Sequence, residues 1–163
     1  MASPCAERLR TVRHDVASYW LDLLACCIVL TLTRKVWLEM IGHAYDGLPD
    51  EACGLLGGDP TASEVSVFYP CRNAAASSRV YTVDPKDHLM ADRDVETRGL
   101  ELIGVMHSHT HTEAYPSPTD LEQAPDPAWH YVIVSLKRED PVLRSYRIVD
   151  GTISEEPVCL VGG

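Results

Sequence analysis

The stretch GVMHSHTHTEAYPSPTD, Gly104 to Asp120, decides how the rest of the chain is read. Leu102 to Met106 is an apolar run that leads into His107-Ser108-His109, and together they read as a buried strand. Side chains i and i+2 of a strand share a face, so His107 and His109 can present two imidazoles to one point. The following T-H-T-E-A-Y-P-S-P reads as a loop. Ser117-Pro118-Thr119-Asp120 then has the form of a helix start. Serine is the cap, proline the first helical residue, and the aspartate reaches back to the cap. A strand, a loop and a helix in this order predict an α/β chain with ligand-bearing side chains at the end of a strand.

A catalytic zinc site takes three protein ligands and keeps one position open. Beyond His107 and His109, the third candidates are His111, Glu113 and Asp120. His111 stays on the same face only if the strand runs past Thr110, and the loop composition argues against that. Glu113 completes H-x-H-x-x-x-E, part of a cupin motif. The second cupin motif is missing, because His130 is the only later histidine and its neighbours do not fit. Asp120 stands open between helix cap and ligand.

Outward from this stretch, CIVLTL (27–32) predicts a strand and Thr33 opens a helix ending near Gly47. EACGLLGG (51–58) and EVSVFYPC (64–71) predict neighbouring antiparallel strands. RVYTV (79–83) is a short extended piece. Asp84 and Pro85 cap and open a polar helix to about Arg98. WHYVIVSLK (129–137) and PVLRSYRIVDG (141–151) predict a hairpin, and ISEEPVCLV (153–161) one closing strand. The fold class is α/β, a single domain with a central mixed sheet flanked by helices.

Length and charge narrow the function classes. The chain has 163 residues, enough for one domain with a sizeable core. Its net charge of −10 argues against nucleic acid, since phosphate binding needs a basic stripe. The six cysteines show no C-x-x-C spacing, which fits a reduced, cytoplasmic setting. Cys53 and Cys71 read as small core residues. Asp22 interrupts the apolar run from Tyr19 to Leu32, while a bilayer span needs about 20 apolar residues, so no membrane anchor is expected. Residues 1–26 read as an extension and 27–163 as the domain. His43 and His88 are expected to face solvent, and His130 to be structural. The terminal Val161-Gly162-Gly163 reads as a plain glycine tail.

His107-Ser108-His109, seven residues, then S-x-x-D, with an upstream glutamate in DEACGLLGG, resembles the JAMM (MPN+) zinc metalloprotease motif. PDEACG, HSHTHTEAYPSPTD, HYVIVS and LRSYRIVDG are together similar to the bacterial CysO-cysteine peptidase group of that family. The resemblance spans roughly 28–158. It implies a JAMM/MPN-like, cytidine-deaminase-like fold. It implies one Zn2+ per chain held by His107, His109 and Asp120, with Glu51 as general base and Ser117 as oxyanion partner. Thr110, His111 and Glu113 fall on the substrate side. Thr110 departs from the proline that many JAMM enzymes carry after the second histidine, and the trimming group tolerates it. The implied activity is hydrolysis of the C-terminal Gly-Cys amide of a ubiquitin-like sulfur-carrier protein ending in Gly-Gly-Cys, releasing cysteine in cysteine biosynthesis. A deubiquitinase-like isopeptidase and an inactive MPN scaffold are the alternatives, and a homodimer is left open.

Overall fold

A computed structural model describes residues 29–162. The first strand begins at Leu30, so Cys27 and Ile28 of the predicted strand, with the whole predicted extension, lie outside the described residues. In chain order the elements are β1 (Leu30–Thr33), α1 (Arg34–Asp46), β2 (Cys53–Asp59), β3 (Glu64–Cys71), α2 (Pro85–Arg98), β4 (Glu101–His109), α3 (Pro118–Glu122), β5 (His130–Ser135), β6 (Val142–Val149), β7 (Thr152–Glu156) and β8 (Val158–Val161). The eight strands form one mixed sheet in the order β7-β6-β5-β4-β2-β3-β1-β8. The β5–β6 pair is antiparallel, as the predicted hairpin requires.

Helix α1 starts where expected because the Thr33 hydroxyl accepts the Val36 N–H at 3.2 Å. Its buried stripe is Val36, Met40, Ile41 and Ala44, the spacing of one helical face. That stripe packs on Leu30, Leu32, Leu56, Val65 and Met106. Each fully buried aliphatic side chain contributes about 1.5–3 kcal/mol. Helix α2 is capped by Asp84, opened by Pro85 and closed by Gly99 in the left-handed region at φ 67°. It covers a second core of Leu55, Ala91, Val105, Ile133 and Tyr146. Cys53 and Cys71 are buried free thiols, as read from the sequence.

Gly104 lets β4 and β5 lie side by side, because a Cβ there would strike the His130 carbonyl. The resulting parallel register sets His107 opposite Ile133 and His109 opposite Ser135.

Two expectations need correction. ISEEPVCLV is not one strand: Pro157 splits it into β7 and β8, at opposite ends of the sheet order. Proline has no N–H to donate to a ladder, so pairing breaks there. One residue therefore joins the two edges, and the sheet must roll until they meet. At that seam the Pro157 carbonyl accepts the Leu30 N–H at 2.9 Å, which starts the parallel ladder of β8 with β1. His43 does not simply face solvent. It is half-buried, its Nε2 lies 2.9 Å from the Cys53 carbonyl and 3.3 Å from that of Cys71, and its ring meets Phe68 edge-on. The predicted extended piece at 79–83 makes only one isolated bridge, Val83 to Asn73.

Candidate metal centre

Strand β4 delivers Val105, His107 and His109 to the face covered by α2, while Met106 and Ser108 point to the α1 side. Both histidines are almost fully buried, at 1% and 4% exposure. The strand ends at His109, so His111 leaves the face and is exposed. The chain is then turned back by contacts to the neighbouring strands. Ser135 Oγ donates to the Thr112 carbonyl at 2.6 Å, and the Tyr146 hydroxyl donates to the carbonyl of Ala114. This returns the chain to the sheet end at Ser117, where α3 begins.

Helix α3 has both halves of the capping box. Ser117 N–H donates to Asp120 Oδ2 at 2.6 Å, and Asp120 N–H to Ser117 Oγ at 3.2 Å. The cap and the cluster share the same carboxylate. Asp120 Oδ1 lies 3.4 Å from His107 Nε2, Asp120 Oδ2 lies 3.6 Å from His109 Nε2, and the two Nε2 atoms are 3.1 Å apart. Four-coordinate zinc with bonds of about 2.0–2.1 Å puts neighbouring ligand atoms about 3.3 Å apart. The three donor atoms are at that spacing, so the residues fit a tetrahedral ion with one position left over. Glu113 and His111 are outside this cluster.

The surroundings set the tautomers. His109 Nδ1–H donates to the Glu113 carbonyl at 2.8 Å, which leaves the Nε2 lone pair aimed at the cluster. His107 is held by stacking on Tyr81, with centroids 4.4 Å apart. Burial lowers the His107 pKa and keeps its imidazole neutral, the form that ligates. Burial alone would raise the Asp120 carboxyl. The neighbouring His107 and His109 imidazoles and the Ser117 N–H outweigh it and hold the group well below the usual carboxylate range.

Glu51 precedes β2 and is 6% exposed. Its peptide units are fixed on both sides. Glu51 N–H donates to the Ser77 carbonyl at 2.9 Å, and Asn73 Nδ2 donates to the Glu51 carbonyl at 2.9 Å. Ala52 N–H donates to Ser108 Oγ at 2.8 Å. Burial pushes the Glu51 carboxyl up to about 7; His109 opposes that shift and Asp120 adds to it. Asn73 and Ser108 were not singled out by sequence reasoning. Ser108 could have been found, because the middle residue of H-S-H must face the other side of the strand.

A cleft of about 710 Å³ opens over these groups, lined by Glu51, Ser77 to Val80, His109 to Thr112, and Ser117 to Thr119. Thr110 and His111 line it, whereas the exposed Glu113 carboxylate is engaged by Lys137 and Arg138, each at 3.1 Å.

Residues 33–149 match the family described as prokaryotic homologs of the JAB domain. The chain belongs to this JAB family. It is a hydrolase of the JAMM peptidase type. It is 42% identical over 136 residues to the CysO-cysteine peptidase of Mycobacterium tuberculosis, covering 82% of this chain and 92% of that protein. It is 37% identical over 111 residues to the desampylase of Haloferax volcanii, covering 65% of this chain and 80% of that protein. A solved structure of a Desulfitobacterium hafniense protein superposes with a TM-score of 0.75 at 38% identity, covering 82% of this chain and 93% of that one. The mixed sheet with flanking helices is the α/β fold of the JAB family.

Proposed function

We propose that this JAB-family chain is a zinc-dependent peptidase acting on the tail of a ubiquitin-like sulfur-carrier protein. It hydrolyses the C-terminal Gly-Cys amide and releases cysteine. The observation that carries this reading is the tetrahedral spacing of His107, His109 and Asp120 beside a buried, proton-hungry Glu51. The likeness to proteins named CysO-cysteine peptidase and desampylase supports the carrier-protein class.

In this reading His107, His109 and Asp120 hold the zinc. Bound zinc lowers the pKa of a coordinated water to about 7 and polarises the scissile carbonyl. Glu51 takes the proton of the attacking water and passes it to the leaving amine. A carboxyl near pKa 7 is suited to both halves of that transfer. Ser117 Oγ accepts the cap hydrogen bond from Asp120 N–H, so its own O–H remains free to donate. Aimed at the developing oxyanion, such a donor contributes about 3 kcal/mol. Thr110 and His111 line the approach of the tail.

The test is to mix the zinc-loaded protein with a sulfur carrier bearing a C-terminal Gly-Gly-Cys and weigh the carrier by mass spectrometry. Loss of one cysteine residue is expected. No loss, with cleavage of a carrier–protein isopeptide conjugate instead, would favour the second reading that the desampylase likeness suggests. Asp120→Ala should lose zinc while His111→Ala retains about one per chain, since three ligands complete the site. The reverse result would overturn the ligand assignment.

A further inference from the structure

The loop from Asn73 to Thr82 passes over the cleft and is built around one side chain. Asn73 Nδ2 contacts the carbonyls of Glu51, Val80 and Ser77 at 2.9, 3.1 and 3.4 Å. Its Oδ1 accepts the N–H groups of Ala75 and Thr82, both at 3.0 Å. Within this clamped loop the Ser77 carbonyl takes the Glu51 N–H at 2.9 Å, and the Ser78 carbonyl takes the Thr110 hydroxyl at 3.3 Å. The next residue is Arg79.

Arg79 lines the cleft and is exposed. Only its backbone N–H is engaged, donating to Ser77 Oγ at 3.2 Å, and its guanidinium makes no ion pair among the described residues. That is notable in a chain with 24 acidic and 14 basic residues. Arg72, Arg98, Lys137, Arg138 and Arg144 each have a carboxylate partner. Among the residues lining the cleft, Arg79 is the single permanent cation.

We infer that Arg79 binds the α-carboxylate of the C-terminal residue that is released, and so selects tails ending in a free amino acid over amides and isopeptides. This rests on the peptidase reading above. In that reading the leaving amine receives its proton from Glu51, so the departing residue lies on the Glu51 side of the site. Arg79 stands two residues beyond Ser77, the backbone partner of Glu51. A guanidinium meets a carboxylate with two parallel N–H···O bonds, and the geometry matches no neutral amide as well. The rigid loop means that little order has to be imposed on binding.

The experiment compares two carrier tails that differ at one group, Gly-Gly-Cys as the free acid and as the carboxamide. A charge-assisted hydrogen bond corresponds to about a 10–100-fold effect, so wild type should prefer the acid by that factor in kcat/KM. In Arg79→Ala the acid-over-amide ratio should fall to near one. Arg79→Lys keeps the charge but not the fork, and should restore part of the ratio. A full preference persisting in Arg79→Ala overturns the inference. Equal cleavage of both tails by wild type also overturns it and leaves the peptidase reading standing. Cleavage of neither tail overturns the peptidase reading, and the inference with it.

Discussion

Glu51 is a carboxyl with almost no access to water, and that has a cost that can be measured. Burial, with Asp120 adding and His109 opposing, moves its pKa from 4.5 to about 7. Between those values the folded metal-free chain holds a proton there that the unfolded chain has released. Stability from this group therefore falls as pH rises from 4.5 to 7, and the full penalty applies above 7. Glu51→Gln removes the penalty. In the metal-free state it should be more stable than wild type by about 2 kcal/mol at pH 8, and the gain should vanish near pH 4.5. Denaturant titrations at the two pH values measure it, and an equal gain at both would refute the buried-carboxyl account. The same variant keeps all three proposed ligands. It should bind zinc like wild type and lose turnover, since it lacks the base.

At the scale of elements, β4 works with both of its faces. His107 and His109 go to the cleft, while Ser108 on the other face accepts the Ala52 N–H and so sets where Glu51 can stand. Ser108→Ala leaves that buried N–H without its partner, at a cost of about 1–3 kcal/mol. Displacing a reacting group by even an ångström can lower rates about 100-fold. The variant should therefore bind zinc normally while kcat falls by roughly 10–100-fold, and unchanged kcat would sever Ser108 from Glu51 placement. Local signals made much of this legible in the sequence. The apolar run into H-x-H marks β4, the Ser117-Pro118 start marks α3, and Asp84-Pro85 marks α2. What was not legible depends on partners distant in the chain. Nothing local separates Glu51 from Glu39 or Glu64; the resemblance selected it, and its fixing by Asn73, Ser77 and Ser108 is tertiary. His43 looked solvent-facing because helical spacing does not reveal that two strand-end carbonyls wait beneath it. ISEEPVCLV reads as one strand until the rolled sheet demands two edges from it.

Rolling the sheet puts two polar assemblies at opposite ends of the β4–β5 pair. Near the His107 and His109 end is the metal cluster. Near the Gly104–His130 end is the seam, where His130 Nδ1 lies 2.7 Å from Glu156 Oε1 and Ser145 Oγ donates to the same oxygen at 2.6 Å. All three residues are buried, at 2%, 5% and 0% exposure. Removing one partner of a buried hydrogen bond leaves the other stranded and costs about 1–3 kcal/mol. In a chain of this size that lowers Tm by roughly 2–12 °C. In the proposed reading, zinc would act on the other end. An ion that binds only the folded chain stabilises it by about 2.7 kcal/mol at one hundred times its Kd, a shift of roughly 5–10 °C. The two effects should add, since distant sites without shared partners are close to independent. His130→Ala should therefore melt lower than wild type yet rise by the same increment when zinc is added and fall back when a chelator removes it. Asp120→Ala should show no increment. A seam variant that lost the zinc increment would mean that closure of the sheet and assembly of the metal cluster are one event.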